Sequence, residues 1–392
     1  MAHHRSQRQP DEVAEQNPFS IEAVYGTPGP DRLADDEKGR GDAPLLIHPL
    51  GTEIECLTEA GHSQWVKRIF EPSTAAAELR HDDNDHFGDS KEQARLRALR
   101  EMAEDPMKGW RPMITVNEAM VGALESLAEG APNFRSLFDI VLSAAKASLH
   151  AGMPFRVPPV LLLGPPGAGK SRAATLMAES LATAIEKVPI TMQTGCGVLS
   201  GLDVSWRNPR LGAVARVLLG SKTASPVLLL DEIDKSNPRS EYGQLLDPLH
   251  DLLEQDTARC FTDEYLRLPI AADAIIWLAT ANDHRMIPGP ILDRVLLIEV
   301  LQPTEAEMGI ILTTMIRAAM ARWGGWFDRT TPVTADTLKM LRGIHPRAAR
   351  RVIDLAVGFA VAAGRPIILP EDVEHARKVT MSPKSAMKFG FI

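Results

Sequence analysis

Residues 160–171 read Val-Leu-Leu-Leu-Gly-Pro-Pro-Gly-Ala-Gly-Lys-Ser, and the helix-forming residues 172–177 follow directly. A strand, a glycine-rich turn and a helix in this order form the setting in which the pattern G-x-x-x-x-G-K-[ST] binds phosphate. The glycines let successive backbone N–H groups point at one centre, and the helix N-terminus adds partial positive charge. The pattern predicts a nucleotide-binding loop that consists of Gly164, Pro165, Pro166, Gly167, Ala168, Gly169, Lys170, Ser171 and Arg172.

Two adjacent carboxylates, Asp231 and Glu232, follow a second apolar run at residues 227–230. Ligands of doubly wound sheets bind outside the carboxyl ends of the strands, so we expect these carboxylates beside the loop. Lys170 would neutralise the β- and γ-phosphates of ATP, and Ser171 and Asp231 would hold Mg²⁺. Glu232 would orient and polarise the attacking water, because phosphoryl transfer needs positioning and charge more than covalent help.

Three further polar residues extend this pattern. Asn282 ends the apolar run 275–281, Arg294 precedes the run 295–300, and Arg347 begins a late helix. The Asn282 amide would help to hold the water or the γ-phosphate. In a ring, Arg294 would stabilise transition-state charge on the neighbouring subunit's γ-phosphate, and Arg347 would contact the γ-phosphate of its own subunit. A surface ion pair is the alternative interpretation of either arginine.

Composition restricts the class of protein. The chain has 392 residues, of which 44% are hydrophobic, and a formal net charge of −8, which argues against a protein that coats nucleic acid. Its three cysteines, Cys56, Cys196 and Cys260, form no C-x-x-C pair, so we expect neither disulfides nor a zinc site. Residues 1–42 lack the apolar core of a signal peptide, and no apolar run approaches the ~20 residues needed to cross a bilayer. These features predict a cytoplasmic protein without a membrane partner.

Five short apolar runs alternate with helical segments, which predicts an α/β fold with a parallel, doubly wound sheet. The runs are 160–163, 188–192, 227–230, 275–281 and 295–300. Helices follow, and the first, predicted over 308–322, is opened by a capping box at 304–307. The expected divisions are a disordered tail (1–43), a small mixed and helical region (44–136), the nucleotide-binding domain (137–301), and a helical lid domain with a C-terminal tail (302–392).

In combination, these motifs resemble the AAA+ ATPases over about residues 138–379. The segments 231–235, 261–266, 279–282 and 287–294 are most similar to the ATPase module of Lon proteases. The resemblance implies an AAA+ P-loop NTPase core, with a five-stranded parallel sheet flanked by helices, and a C-terminal helical lid. It also implies hydrolysis of Mg-ATP at the subunit interfaces of a ring, expected to be a hexamer.

Two departures from the Lon pattern limit the resemblance. Too few residues follow Arg347 for the Ser–Lys peptidase domain of that family. The residues before 115 contain too few apolar segments to form the core of its large N-terminal substrate domain. We therefore expect no proteolysis by this chain alone; a separate partner protein could receive the substrate. The family carries Gly-Val/Ala-Arg at the lid arginine, whereas this chain has His345-Pro346-Arg347.

The loop at residues 200–210 bears on the substrate. In Lon-like proteins the corresponding loop carries an aromatic residue that grips polypeptide in the central pore, and Trp206 lies at the similar position. This predicts a remodeller or threader of protein substrates, unless Trp206 packs in the core or at a subunit contact. Arg207 and Arg210 could instead grip nucleic acid by charge and stacking, which leaves a DNA-directed motor or loader as the alternative. A scaffold that binds ATP but hardly hydrolyses it is a third hypothesis.

Overall fold

The structure is a computed structural model that describes residues 48–58, 63–82, 90–192, 195, 197–236, 245–328 and 330–381. The expected disordered tail (1–43) lies outside the described residues, and so does Cys196. The statements below concern the described part of the chain alone.

Strands and helices occur in the following order within the described ranges. The strands are β1 (Glu53–Leu57), β2 (Ser63–Arg68), β3 (Trp110–Pro112), β4 (Val160–Leu163), β5 (Ile185–Pro189), β6 (Val227–Asp231), β7 (Phe261–Asp263), β8 (Leu268–Ile270), β9 (Ile276–Ala281) and β10 (Leu296–Glu299). The helices are α1 (Pro72–Asp82), α2 (Ser90–Ala103), α3 (Glu118–Gly130), α4 (Arg135–Ala151), α5 (Lys170–Ser180), α6 (Gly197–Ser200), α7 (Ala213–Gly220), α8 (Leu249–Leu252), α9 (Gln255–Ala258), α10 (Gly289–Leu292), α11 (Glu305–Ala321), α12 (Ala335–Leu341), α13 (Pro346–Ala362) and α14 (Pro370–Met381).

A five-stranded parallel sheet with the order β10-β4-β9-β6-β5 forms the centre of the fold. Leu163 lies opposite Ala281, and Leu230 lies opposite Ala279. The loop after β4, the end of β6 and the residue after β9 therefore meet at one edge of the sheet. Buried hydrophobic clusters cover both faces, as a parallel sheet requires. The predicted α/β fold class is confirmed.

One predicted strand is displaced along the chain. The apolar run 188–192 predicted a strand, but β5 is Ile185–Pro189, and Ile190–Met192 form a 3₁₀ turn. Because β5 lies at the edge of the sheet, it tolerates the polar residues Glu186 and Lys187. Those residues interrupt the apolar run by which a buried strand is recognised, so the sequence pattern placed the strand too late.

The region before the nucleotide-binding loop packs directly on the central sheet. Strands β1, β2 and β3 form an antiparallel sheet, and Ile69, Leu99 and Met113 share one buried cluster with Leu228. The ammonium of Lys67, which has no exposed side-chain surface, lies 2.9 Å from Asp273 Oδ2. These contacts join the region to the α/β core through a shared interior, and the boundary at 136/137 stays a prediction.

Helices α11–α14 follow the sheet and bury their own cluster, which includes Leu312, Ile316, Val352 and Val357. The predicted capping box is present, since Thr304 accepts from the Glu307 N–H and the Glu307 carboxylate accepts from the Thr304 N–H. Helix α11 begins directly after this cap, three residues before the predicted start. Among the described residues, none of the helices combines the length and the hydropathy that a membrane span requires.

Candidate nucleotide-binding site

Glycines shape the loop between β4 and α5. Gly169 precedes α5 with a φ of +98°, and Gly167 has a φ of +84°, a conformation that costs other residues energy. At Gly164 a Cβ atom would lie 2.2 Å from the backbone oxygen of Val300, so a side chain has no room there. These positions hold the N–H groups of the loop at the N-terminus of α5, where the helix favours anions.

Lys170 is nearly buried within this loop. Its Nζ donates to the backbone oxygens of Gly164 at 2.5 Å and Pro165 at 3.0 Å, and to Asn282 Oδ1 at 3.1 Å. Burial lowers the pKa of Lys170, and the nearby carboxylates of Asp234, Asp231 and Glu232 oppose that shift. Two of the predicted site residues, Lys170 and Asn282, are therefore in direct contact.

A hydrogen-bonded chain joins Ser171 to the end of β6. Ser171 Oγ donates to Asp231 Oδ1 at 2.6 Å, and Thr280 Oγ1 donates to the same oxygen at 2.6 Å. The Thr280 hydroxyl also accepts from the N–H of Glu232 at 2.9 Å. The predicted residues Ser171, Asp231 and Glu232 are thus brought together by a residue to which the sequence had assigned no role.

Glu232 has an unusual backbone conformation. Its φ is +59° and its ψ is +55°, in the left-handed region that non-glycine residues seldom occupy. Such conformations are strained and occur often at functional sites. The Thr280 hydroxyl supports this turn through the Glu232 N–H.

Sequence reasoning missed Thr280 and Asp234. Thr280 is 1% exposed. In the sequence, it could have been recognised as a hydroxyl residue near the end of an otherwise apolar strand. Asp234 is 4% exposed, and neither of its carboxylate oxygens has a hydrogen-bond partner among the described residues. In the sequence, it could have been recognised as a third acidic residue close to the end of β6, after Asp231 and Glu232.

The predicted arginines lie outside this hydrogen-bonded cluster. Arg294 Nε lies 2.8 Å from Glu254 Oε1, and its Nη1 donates to Pro290 O at 2.8 Å. Within one chain, Arg294 therefore forms the ion pair that was the alternative interpretation. Arg347 is exposed in the first turn of α13. Arg172 keeps an exposed surface on α5, but partial burial of its side chain and the nearby charges of Arg350 and Arg322 lower its pKa.

Trp206 lies at the tip of a short hairpin-like loop. Leu202 and Arg210 form an antiparallel bridge at its base, and the Trp206 side chain is 44% exposed. Asp203 accepts from Arg267 Nε at 2.8 Å, which joins the loop to the β7–β8 hairpin. Core packing of Trp206, one of the alternatives, is therefore wrong for this chain.

Asp263, at the end of β7, forms hydrogen bonds with backbone groups close to the same loop. Its carboxylate has no exposed surface and accepts from the N–H groups of Gly212 at 3.0 Å, Tyr265 at 3.1 Å and Leu266 at 3.0 Å. Burial raises the pKa of Asp263 to about 6, although these three N–H donors oppose the shift. The buried carboxylate joins the β7–β8 hairpin to Gly212, two residues after the Trp206 loop.

Comparison with known proteins agrees with this geometry. Residues 160–302 match the model of the AAA family, the "ATPase family associated with various cellular activities". The chain contains an AAA-type ATPase domain. The match begins at β4 and ends after β10, so this AAA domain spans the whole parallel sheet and the candidate site.

Curated relatives extend the similarity to Lon proteases. The chain is 29% identical to a Lon protease of Finegoldia magna over 244 residues, which are 59% of this chain and 30% of the relative. It is 33% identical to a Lon protease of Campylobacter jejuni over 234 residues, which are 58% of this chain and 28% of the relative. The chain thus spans less than a third of the length of these relatives, and the predicted resemblance to the Lon ATPase module is confirmed.

A solved structure of the RuvB Holliday junction branch migration motor of Thermotoga maritima is also similar to this chain. The two are 17% identical with a TM-score of 0.40, over 67% of this chain and 70% of that one.

Proposed function

We propose that this chain hydrolyses Mg-ATP in a ring and uses the free energy to remodel or thread protein substrates. The contact that carries the hydrolytic part is the pair of 2.6 Å hydrogen bonds from Ser171 and Thr280 to Asp231, beside Lys170 in the phosphate-binding loop. Hydroxyl and carboxylate oxygens are the ligands that Mg²⁺ prefers, so this donor set fits the ion. When bound, Mg²⁺ would neutralise the charge that develops on the phosphates.

Each residue of the cluster has a proposed role. Lys170 binds the phosphates, Ser171 and Asp231 hold Mg²⁺, and Glu232 orients and polarises the water. Asn282, which already accepts from Lys170, completes the group that faces the γ-phosphate. The measurement that tests this assignment is Mg-dependent hydrolysis by the purified chain, with Lys170→Ala and Glu232→Gln as loss-of-binding and loss-of-turnover variants.

Arg294 and Arg347 complete the proposed machinery. Arg294 lies two residues before β10, and in a ring it would leave Glu254 and reach the nucleotide of the neighbouring subunit. Arg347, in the first turn of α13, would contact the nucleotide of its own subunit. Assembly into a hexamer in the cytoplasm belongs to this proposal, as do the divisions at 43/44, 136/137 and 301/302.

The exposure of Trp206 favours a polypeptide as the substrate. An exposed tryptophan offers a large contact surface that tolerates many sequences, and Asp203 and Asp263 secure the loop that carries it. The test compares hydrolysis alone with hydrolysis in the presence of casein, an unfolded protein. We expect casein to stimulate the natural chain and Trp206→Phe, but not Trp206→Ala. Equal stimulation of all three would contradict a substrate role for Trp206.

A DNA-directed motor is the second candidate, because Arg207 and Arg210 are exposed in the same loop, on the C-terminal side of Trp206. Arginine and an aromatic ring together bind single strands by charge and stacking. Stimulation by single-stranded DNA in place of casein, weakening steeply with salt, would make this function the correct one. Stable ATP-dependent assembly with hardly any turnover would instead support a nucleotide-gated scaffold.

A further inference from the structure

His345, the residue before α13, lies against the nucleotide-binding loop. A Cβ atom built on Gly167 would be 2.2 Å from His345 Nε2 and 2.4 Å from its Cε1. The imidazole therefore packs on the face of Gly167 where any other residue would carry its side chain. This contact joins the helical lid to the middle of the phosphate-binding loop.

The other ring nitrogen of His345 caps the helix. Nδ1 accepts a long hydrogen bond, 3.4 Å, from the backbone N–H of Arg347. A nitrogen that accepts in this way carries no proton, so in the neutral imidazole the proton is on Nε2. The helix cap thus selects the tautomer in which the atom nearest Gly167 is a hydrogen-bond donor.

The surroundings of Nε2 favour an anion. Helix α13 has 17 residues, so its N-terminus carries a well-developed partial positive charge. Arg347 and Arg350 are exposed in its first two turns, and Lys170 lies in the loop that His345 covers. A donor placed between a phosphate-binding loop and a helix N-terminus is suited to a phosphate oxygen.

We propose that His345 is a phosphate-binding residue of the lid, whose Nε2–H donates to the nucleotide held by the loop around Gly167. The proposal rests on the nucleotide site proposed above and adds to it a residue that the Lon pattern lacks, since the family carries glycine at this place. This hydrogen bond forms only when the loop holds phosphate, so the lid responds to whether the loop is occupied.

Two substitutions separate the two nitrogens. Asn places an acceptor where Nδ1 lies and is a strong helix cap, whereas its short amide does not reach Gly167. Gln places an N–H where Nε2 lies and loses the short cap. His345→Asn therefore keeps the cap and removes the donor, and His345→Gln does the opposite.

Binding rather than turnover tests the proposal. The dissociation constants of Mg-ADP and of a slowly hydrolysed Mg-ATP analogue are measured by calorimetry. The midpoint temperature of thermal unfolding is measured without nucleotide. We expect His345→Asn to bind about tenfold more weakly at an unchanged midpoint, the loss that one hydrogen bond to a charged group represents. His345→Gln is expected to bind within about threefold of the natural chain at a lower midpoint, since the charged acceptor keeps its donor.

Each other outcome overturns the donor role. If His345→Asn binds nucleotide as tightly as the natural chain does, His345 acts only as a helix cap. If both variants bind equally weakly, the loss comes from the packing of the imidazole ring on Gly167. Lys170→Ala is the control for the site itself. If Lys170→Ala binds as the natural chain does, the proposed nucleotide site fails. If it loses binding while His345→Asn does not, only the role of His345 fails.

Discussion

Ser171 Oγ donates to Asp231 Oδ1 across 2.6 Å, although the two residues are 60 positions apart in the chain. The strands that lead to them, β4 and β6, are not neighbours, because β9 lies between them in the sheet. Thr280 on β9 donates to the same carboxylate oxygen from that intervening position. The oxygens proposed to bind Mg²⁺ are therefore already assembled by protein hydrogen bonds, so that little reorganisation is needed when the nucleotide binds.

Glu232→Gln is expected to retain nucleotide binding and to lose turnover by about 10²- to 10⁴-fold, the usual contribution of a positioned general base. The amide has the size of the carboxylate, and the Glu232 backbone N–H can still donate to Thr280. Steady-state phosphate release and the dissociation constant of Mg-ADP are the two measurements. Hydrolysis at the natural rate would remove Glu232 from the role of base.

Thr280→Val is expected to lower the free energy of unfolding by about 1–3 kcal/mol, because it leaves the Glu232 N–H without its acceptor. Turnover should fall about tenfold or more as Asp231 loses a donor that orients it. Chemical denaturation and Mg²⁺-dependent hydrolysis measure the two effects. The matched control is Thr280→Ser, which keeps the hydroxyl. A valine variant as active as the serine variant would contradict the role given to this hydroxyl.

Arg294→Ala is expected to lower turnover by about a thousandfold if the guanidinium acts on a neighbouring subunit's nucleotide. Glu254→Gln provides the control, because it removes the 2.8 Å partner that holds Arg294 within its own chain. We expect turnover in Glu254→Gln to equal or exceed that of the natural chain. Mixing Arg294→Ala with Glu232→Gln subunits should restore activity at interfaces where an intact arginine meets an intact glutamate.

An Arg294→Ala chain with full activity would identify the Glu254 ion pair as the sole role of this arginine. Loss of turnover in Glu254→Gln as well, with unchanged stability, would place the function in the ion pair and contradict catalysis in trans. Sedimentation in the presence of nucleotide shows whether each variant still assembles, so that a defect in assembly is not mistaken for one in chemistry.

Asp263 should make stability depend on pH. Its pKa is raised by burial to about 6 in the folded chain from an ordinary 3.8, so the folded state binds the proton more tightly than the unfolded state does. Its stabilising contribution is full below pH 3.8 and is lost as the pH rises through 6. The difference of about two pKa units corresponds to about 3 kcal/mol.

The measurement is the free energy of unfolding of the natural chain and of Asp263→Asn at several values between pH 4 and pH 7. The natural chain should lose stability relative to the variant as the pH rises across this range, because asparagine does not titrate. At every pH the variant also lacks one acceptor for the three backbone N–H donors. Parallel pH curves for the two chains would show that Asp263 keeps an ordinary pKa.

Local patterns predicted a large part of this molecule. The nucleotide-binding loop lies in one contiguous segment whose glycine conformations and helix N-terminus are local properties, and the capping box at 304–307 is equally local. The strand and helix that flank the loop, and the capping box, are confirmed, whereas the binding of nucleotide by the loop stays a prediction. The edge strand β5 was misplaced because polar residues interrupt its apolar pattern, whereas the buried strands of the interior were predicted to within about one residue.

The residue types and their spacing, by themselves, determined the α/β class, the AAA-type ATPase module and the set of polar groups at the strand ends. Tertiary structure alone decided which of those groups touch. Thr280 joins Asp231 to Glu232 because β9 inserts between β4 and β6, Arg294 meets Glu254, and His345 covers Gly167. Such contacts depend on strand order and on how the lid packs, which are set by burial summed over the whole chain rather than by any local spacing of residues.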